Sequence, residues 1–141
     1  VCSFDDRILL CRRAINPRKG FWVFPAGYLE LHETITDGAR REVHEEAGAD
    51  IDIDALLAVY TIARISQVQI IYRARMRSSD LDPGPETTEA ALFRWEDIPW
   101  HDRAFPTVRW ALAHFDEVRD EAVFPTRSNP AGESADYLGK R

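Results

Sequence analysis

Cysteine is almost missing from this chain: Cys2 and Cys11 are the only two among 141 residues, and neither has a close-spaced Cys or His partner set. No zinc ribbon can be built from them, and they read as buried or half-buried free thiols in a reducing interior. Long apolar runs are also lacking. No stretch approaches the length of a membrane span and no targeting pattern opens the chain, so a cytoplasmic location is expected. Positive charge is in deficit, with 18 Lys and Arg against 24 Asp and Glu for a net charge of −6. That argues against generic nucleic-acid binding, which wants a positive track. It leaves room for an anionic small molecule, because bound divalent ions invert the local field.

The chain is rich enough in apolar residues, at 45%, to bury one sizeable core and too short for two. Residues 1–124 are expected to form one domain. Residues 125–141, PTRSNPAGESADYLGKR, read as a polar, turn-rich tail, mobile or loosely packed, with Tyr137 and Leu138 as its bulky apolar pair. Val1-Cys2-Ser3-Phe4 already resembles the interior of a strand, which is compatible with a segment ahead of it.

The stretch Gly27 to Gly48, GYLELHETITDGARREVHEEAG, carries the chemistry. Thr34 and Thr36 are candidate N-caps, Asp37 is a favourable first-turn anion and Gly48 is the expected left-handed cap, so a helix is predicted between them. Ile35, Ala39, Val43 and Ala47 make a narrow apolar stripe along it. Glu42, Glu45 and Glu46 share another face, where like charges repel unless a cation sits among them. Oxygen donors converging within one turn suit Mg2+ or Mn2+, although a solvated acidic surface would show the same three residues. Gly38, one turn before Glu42, is expected to leave space for a ligand.

Upstream, Phe21-Trp22-Val23-Phe24-Pro25 is a short apolar run leading into Ala26-Gly27. Gly27, five residues, Glu33, seven residues, then Arg41-Glu42-Val43-His44-Glu45-Glu46-Ala47-Gly48 closely resembles the Nudix hydrolase signature. Residues 51–76 and 86–110 are similar to a subgroup that hydrolyses ADP-ribose or FAD and often carries a zinc ribbon, which the two cysteines here do not support. The resemblance implies that Glu42, Glu45 and Glu46 ligate the divalent ions, joined by the Gly27 carbonyl, while Glu33 and Arg41 pair and orient the cluster. It implies a general base among the helix glutamates or from a mobile loop, making Glu86 and Glu89 candidates with Glu45 and Glu46. It places Arg64 and Gln67 near substrate, where an arginine can grip a phosphate and a glutamine can read an amide or ribose edge, although an ordinary exposed hairpin would show the same two residues. Homodimers are common among such proteins, and one is compatible here.

Departures from the pattern are few. Leu31-His32 replaces a common Pro-Gly turn, His32 reading as a loop residue. His44 faces away from the acidic cluster. Ala63 stands where many relatives with ADP-ribose specificity have proline, which favours FAD or another nucleotide by comparison. Arg18-Lys19-Gly20-Phe21-Trp22 offers charge beside an aromatic surface suited to a flavin or adenine ring, with Trp22 reading first as core.

Strands are predicted at Arg7 to Arg13, near Phe21, at Ile51 to Asp54, over Leu56 to Ile65 paired with Val68 to Met76, and at Ala91 to Trp95. Ser78 to Thr88 reads as a loop. Val108, Ala111, Leu112, Phe115 and Val118 recur at helical spacing. The coherent arrangement is an α/β fold of the Nudix type, an α/β/α sandwich around a mixed sheet. The implied reaction is Mg2+- or Mn2+-assisted hydrolysis of a nucleoside-diphosphate-linked small molecule, releasing AMP from ADP-ribose or FAD. Two alternatives stand beside it: a nucleoside triphosphate pyrophosphohydrolase, and a non-catalytic nucleotide-binding regulatory domain.

Overall fold

Strand β2 (Arg7–Arg13) alternates between two interiors. Ile8 and Leu10 enter one core and Leu9 and Cys11 the other, all four essentially inaccessible. A strand buried on both faces belongs at the centre of a covered sheet. One of its edges pairs antiparallel with β6 (Thr87–Phe93); the other pairs in succession with β1 (Cys2–Phe4) and β3 (Trp22–Val23). β1 runs parallel to β5 (Gln67–Met76), which pairs antiparallel with β4 (Ile51–Ile62) to complete a six-stranded mixed sheet. Helix α1 (Ile35–Ala47) covers one face through Val43 and Ala47, packed with Cys2, Leu9, Ala74 and Met76. Helix α2 (Pro106–Val118) covers the other through Val108, Ala111, Leu112, Phe115 and Val118, the residues expected from helical spacing. This is the expected α/β/α sandwich. The computed structural model describes residues 1–135, so Tyr137 and Leu138 lie outside the described residues.

Three local expectations are corrected. The run from Ile51 to Ile62 is one strand, because two register shifts, at Ile53/Ala55 and Leu56/Ala58, let it change faces without breaking. Ile51 and Ile53 therefore join the α1 core while Leu57, Tyr60 and Ile62 join the α2 core. The apolar stripe of α1 is used only in its C-terminal half: Ile35 is exposed, and Gly38 is buried in its place. The segment after Pro125 is not loose over residues 127–133. Arg127 donates its N–H to Leu57 O and accepts from Val59 N–H, at 2.9 and 3.0 Å. The Asn129 amide satisfies both the N–H and the carbonyl of Thr61, and Glu133 accepts from Trp110 Nε1 at 2.8 Å and pairs with Arg109. The outer edge of β4 offers unpaired backbone groups, and these residues meet them.

Candidate metal and nucleotide site

The helix that carries the glutamates starts at Thr34, whose hydroxyl accepts from Asp37 N–H at 3.2 Å, and stops at Gly48, with φ of +65° and its N–H on His44 O. Arg41 projects from its middle as a fork. Nε and Nη2 grip the Glu33 carboxylate at 2.6 and 3.1 Å, Nη1 donates to Glu42 at 2.7 Å and Glu45 at 3.1 Å, and Nη2 also reaches Tyr28 O at 3.0 Å. One guanidinium thus ties the preceding loop to two of the acidic residues, a bidentate task that lysine lacks the geometry to perform. The Arg41 hydrogen bonds, helped by the Glu30 N–H, hold the Glu33 carboxyl below the ordinary carboxylate range.

Ala26 and Gly27 lie between Glu42 and Glu46. The Glu42 carboxylate sits so close to Gly27 that a β-carbon there would lie 2.2 Å from it, and the Glu46 carboxylate accepts from Ala26 N–H at 3.1 Å. Glu46 then enters a small cavity of about 20 Å³ lined by Cys11, Arg13, Ile15, Val23, Glu86 and Thr87. Its carboxyl is pushed up to about 8, first by burial and then by the charges of Glu42 and Glu86, against the opposing pull of the Ala26 N–H and Arg13.

Helical spacing alone would gather the three carboxylates at one point, and the structure divides them. Glu42 and Glu45 turn to Arg41, Glu46 to Ala26. Among the described residues no three His, Cys, Asp or Glu side chains stand close enough to hold an ion in this arrangement. The donors nevertheless fit Mg2+ or Mn2+ in kind, being carboxylate and carbonyl oxygens only, with the half-buried Glu46 carboxyl near those of Glu42 and Glu86. Ligation would require Glu42 and Glu45 to exchange Arg41 for the cation.

The loop candidates separate as well. Glu86 faces Glu46, whereas Glu89 lies within β6, opposite Arg12 in the ladder and 3.8 Å from its guanidinium. The expectation of a loop position for Glu89 fails because β6 begins at Thr87. Arg64 lies in the 3-10 turn Ala63–Ile65 joining β4 to β5, and Gln67 opens β5 with its amide 3.4 Å from the Tyr28 hydroxyl. His32 is an exposed loop residue with φ of +63°, and His44 pairs with Asp50 at 3.3 Å, away from the cluster. The space beside Gly38 is filled by the chain itself: a β-carbon there would lie 2.8 Å from Leu29 and 2.9 Å from the Glu33 carboxylate. The aromatic surface expected at residues 18–22 is occupied too. The Arg18 guanidinium lies 3.9 Å from the Phe21 ring centre, and Trp22 is core, edge-on to Phe93.

Sequence reasoning missed what holds the Glu86 loop. Asp82 N–H donates to Ala47 O at 2.7 Å and Gly84 N–H to Glu46 O at 3.3 Å, covering carbonyls that the end of α1 leaves free. At Gly84 a β-carbon would fall 1.9 Å from Glu45 O, so only glycine permits the approach. The signal was the Pro83-Gly84-Pro85 turn, visible in the sequence but with no partner in view. Gly84→Ala is expected to cost about 1–3 kcal/mol in urea unfolding through this overlap, with the loop lifting from α1.

Fold and acidic helix together give an α/β/α scaffold with an oxygen-donor site on its first helix. The family model of the NUDIX domain matches residues 1–112, and the chain belongs to the NUDIX family. A NUDIX hydrolase from Nitrosomonas europaea, known from its crystal structure, superposes with a TM-score of 0.84 at 39% identity, covering 91% of this chain and 75% of that one. The chain is 31% identical to an ADP-ribose pyrophosphatase of Methanocaldococcus jannaschii over 70% of its own length, and 33% identical to the human 8-oxo-dGDP phosphatase NUDT18 over 87%. It spans 61% and 40% of those two proteins. Among the described residues no helix is long and apolar enough to cross a membrane.

Proposed function

We propose that this chain hydrolyses the pyrophosphate linkage of a nucleoside-diphosphate-linked small molecule in a Mg2+- or Mn2+-dependent reaction, with ADP-ribose as the foremost substrate and AMP and ribose 5-phosphate as products. The observation that carries this reading is the approach of Ala26-Gly27 to Glu42 and Glu46 beside the Arg41 fork, which gathers carboxylate and carbonyl oxygens on one end of α1. The ions, held by Glu42, Glu45, Glu46 and the Gly27 carbonyl, would supply neutralisation of the phosphoryl oxygens and acidification of water. Arg41 and Glu33 fix the direction of the helix carboxylates. Glu86, which lines the same cavity as Glu46, is the favoured acceptor for the proton of the attacking water, a role the Arg12 pairing makes harder for Glu89. Arg64 supplies positive charge for the far phosphate.

The Arg18 guanidinium over Phe21 competes with a flavin for that ring and supports ADP-ribose over FAD. The M. jannaschii relative points the same way. A second reading, dephosphorylation of an oxidised nucleoside diphosphate, draws on the human relative. Products are to be resolved chromatographically after incubation with Mg2+ or Mn2+ and ADP-ribose, FAD, 8-oxo-dGDP or nucleoside triphosphates. AMP from ADP-ribose is the expected result, falling by roughly two orders of magnitude or more in Glu45→Gln. Phosphate from 8-oxo-dGDP with ADP-ribose intact would favour the second reading, and pyrophosphate from triphosphates a pyrophosphohydrolase. Turnover of none would favour a binding domain.

A further inference from the structure

Tyr28 is 81% exposed, yet both its ends are tethered. Its carbonyl accepts from Arg41 Nη2 at 3.0 Å, the same guanidinium that holds Glu42 and Glu45. Its hydroxyl meets Gln67 Nε2 at 3.4 Å across 39 residues of sequence, and Gln67 Oε1 in turn accepts from Gln69 Nε2 at 3.1 Å. The residue therefore links the acidic helix, through its backbone, to the start of β5, through its hydroxyl. Ordering an exposed side chain costs conformational entropy that contact with water does not return. A flat partner on the open face of the ring does return it.

Other rings near this end of the molecule are engaged. Arg18 lies over Phe21 and Arg13 approaches Phe105, while Trp22 packs on Phe93. We infer that Tyr28 is the platform on which the substrate's nucleobase stacks, and that Gln67 is a positioning residue for that ring. This inference rests on the nucleotide-hydrolase reading and deepens it. Stacking on a single ring face uses the π-surface common to all bases, so Tyr28 contributes affinity for the nucleoside half without choosing adenine over guanine.

The test is calorimetric binding of non-hydrolysable probes in Mg2+: adenosine 5′-(α,β-methylene)diphosphate, its guanosine counterpart, and base-free methylenediphosphonate. Tyr28→Ala is expected to weaken both nucleoside probes about tenfold and to leave methylenediphosphonate unchanged. Tyr28→Phe, which keeps the ring, should stay within about threefold of the parent, and Gln67→Ala should fall between the two. Unchanged nucleoside affinity in Tyr28→Ala, or an equal loss of the base-free probe, would overturn the assignment while leaving the hydrolase reading intact. A parent protein that binds none of the three probes would overturn both.

Discussion

Replacing Arg73 with methionine will cost about 3–5 kcal/mol of folding stability and lower the thermal midpoint by roughly 10 °C or more. Arg73 is a buried charge, 7% exposed, on the α2 side of β5. Its Nε donates to Asp54 Oδ1 at 2.8 Å, and Nη1 donates to Val118 O and Glu121 O at 2.7 and 2.8 Å, with the guanidinium 4.7 Å from the centre of the Phe124 ring. It closes the C-terminus of α2, where carbonyls lack intrahelical partners. Methionine matches much of the volume and none of the donors, so Glu121 O loses its guanidinium donor, Val118 O keeps only the Glu121 N–H, and Asp54 is left with Arg75 at 3.8 Å. Melting Asp54→Asn alongside separates these terms. It should cost less, because Asp54 is partly solvated and both carbonyls keep Arg73. Equal melting points for Arg73→Met and the parent would refute the account.

Glu46→Gln carries the second large effect, and it has two signs. Activity should fall by about 10²–10⁴, since the amide neither ionises nor binds a cation as a carboxylate does. Stability of the metal-free protein at alkaline pH should rise. The folded carboxyl, at about 8, lies above its ordinary value of 4.5, so between those values the folded state holds a proton that the unfolded state has released. That contribution is fully present below about 4.5 and is lost as pH climbs through 8, a few kcal/mol at most. Urea midpoints of the parent measured between pH 5 and pH 9 should therefore decline more steeply than those of Glu46→Gln, whose amide still accepts from Ala26 N–H. Mg2+ competes with the proton, so its binding near neutral pH should release protons in the parent and fewer in the variant. Parallel pH profiles would show that Glu46 ionises freely.

How far the sequence carries the argument depends on the range of the interaction. The capping of α1 by Thr34 and Gly48 and the helical spacing in α2 are local and were legible at once. So was the Arg41–Glu33 pair, although only through resemblance to a family. The strap at residues 127–133 was illegible because a polar stretch that satisfies a distant strand edge looks in composition like one that satisfies water. The register shifts in β4 were hidden because a bulge changes parity without a distinctive residue. Glu86 and Glu89 could be told apart only once β6 had been aligned with β2. The division of the glutamates between Arg41 and Ala26 likewise depended on the loop's path across the helix.

The seam between residues 127–129 and β4 has a consequence for self-association. Stripped of it, the strand would present the carbonyl of Leu57, the N–H of Val59 and both groups of Thr61 as an open template beside the exposed side chain of Leu56. Those are the ingredients of edge-to-edge sheet polymerisation. A chain shortened just after α2 would retain every residue matched by the family model and yet lose its guard against aggregation, so solubility here is encoded outside the catalytic signature.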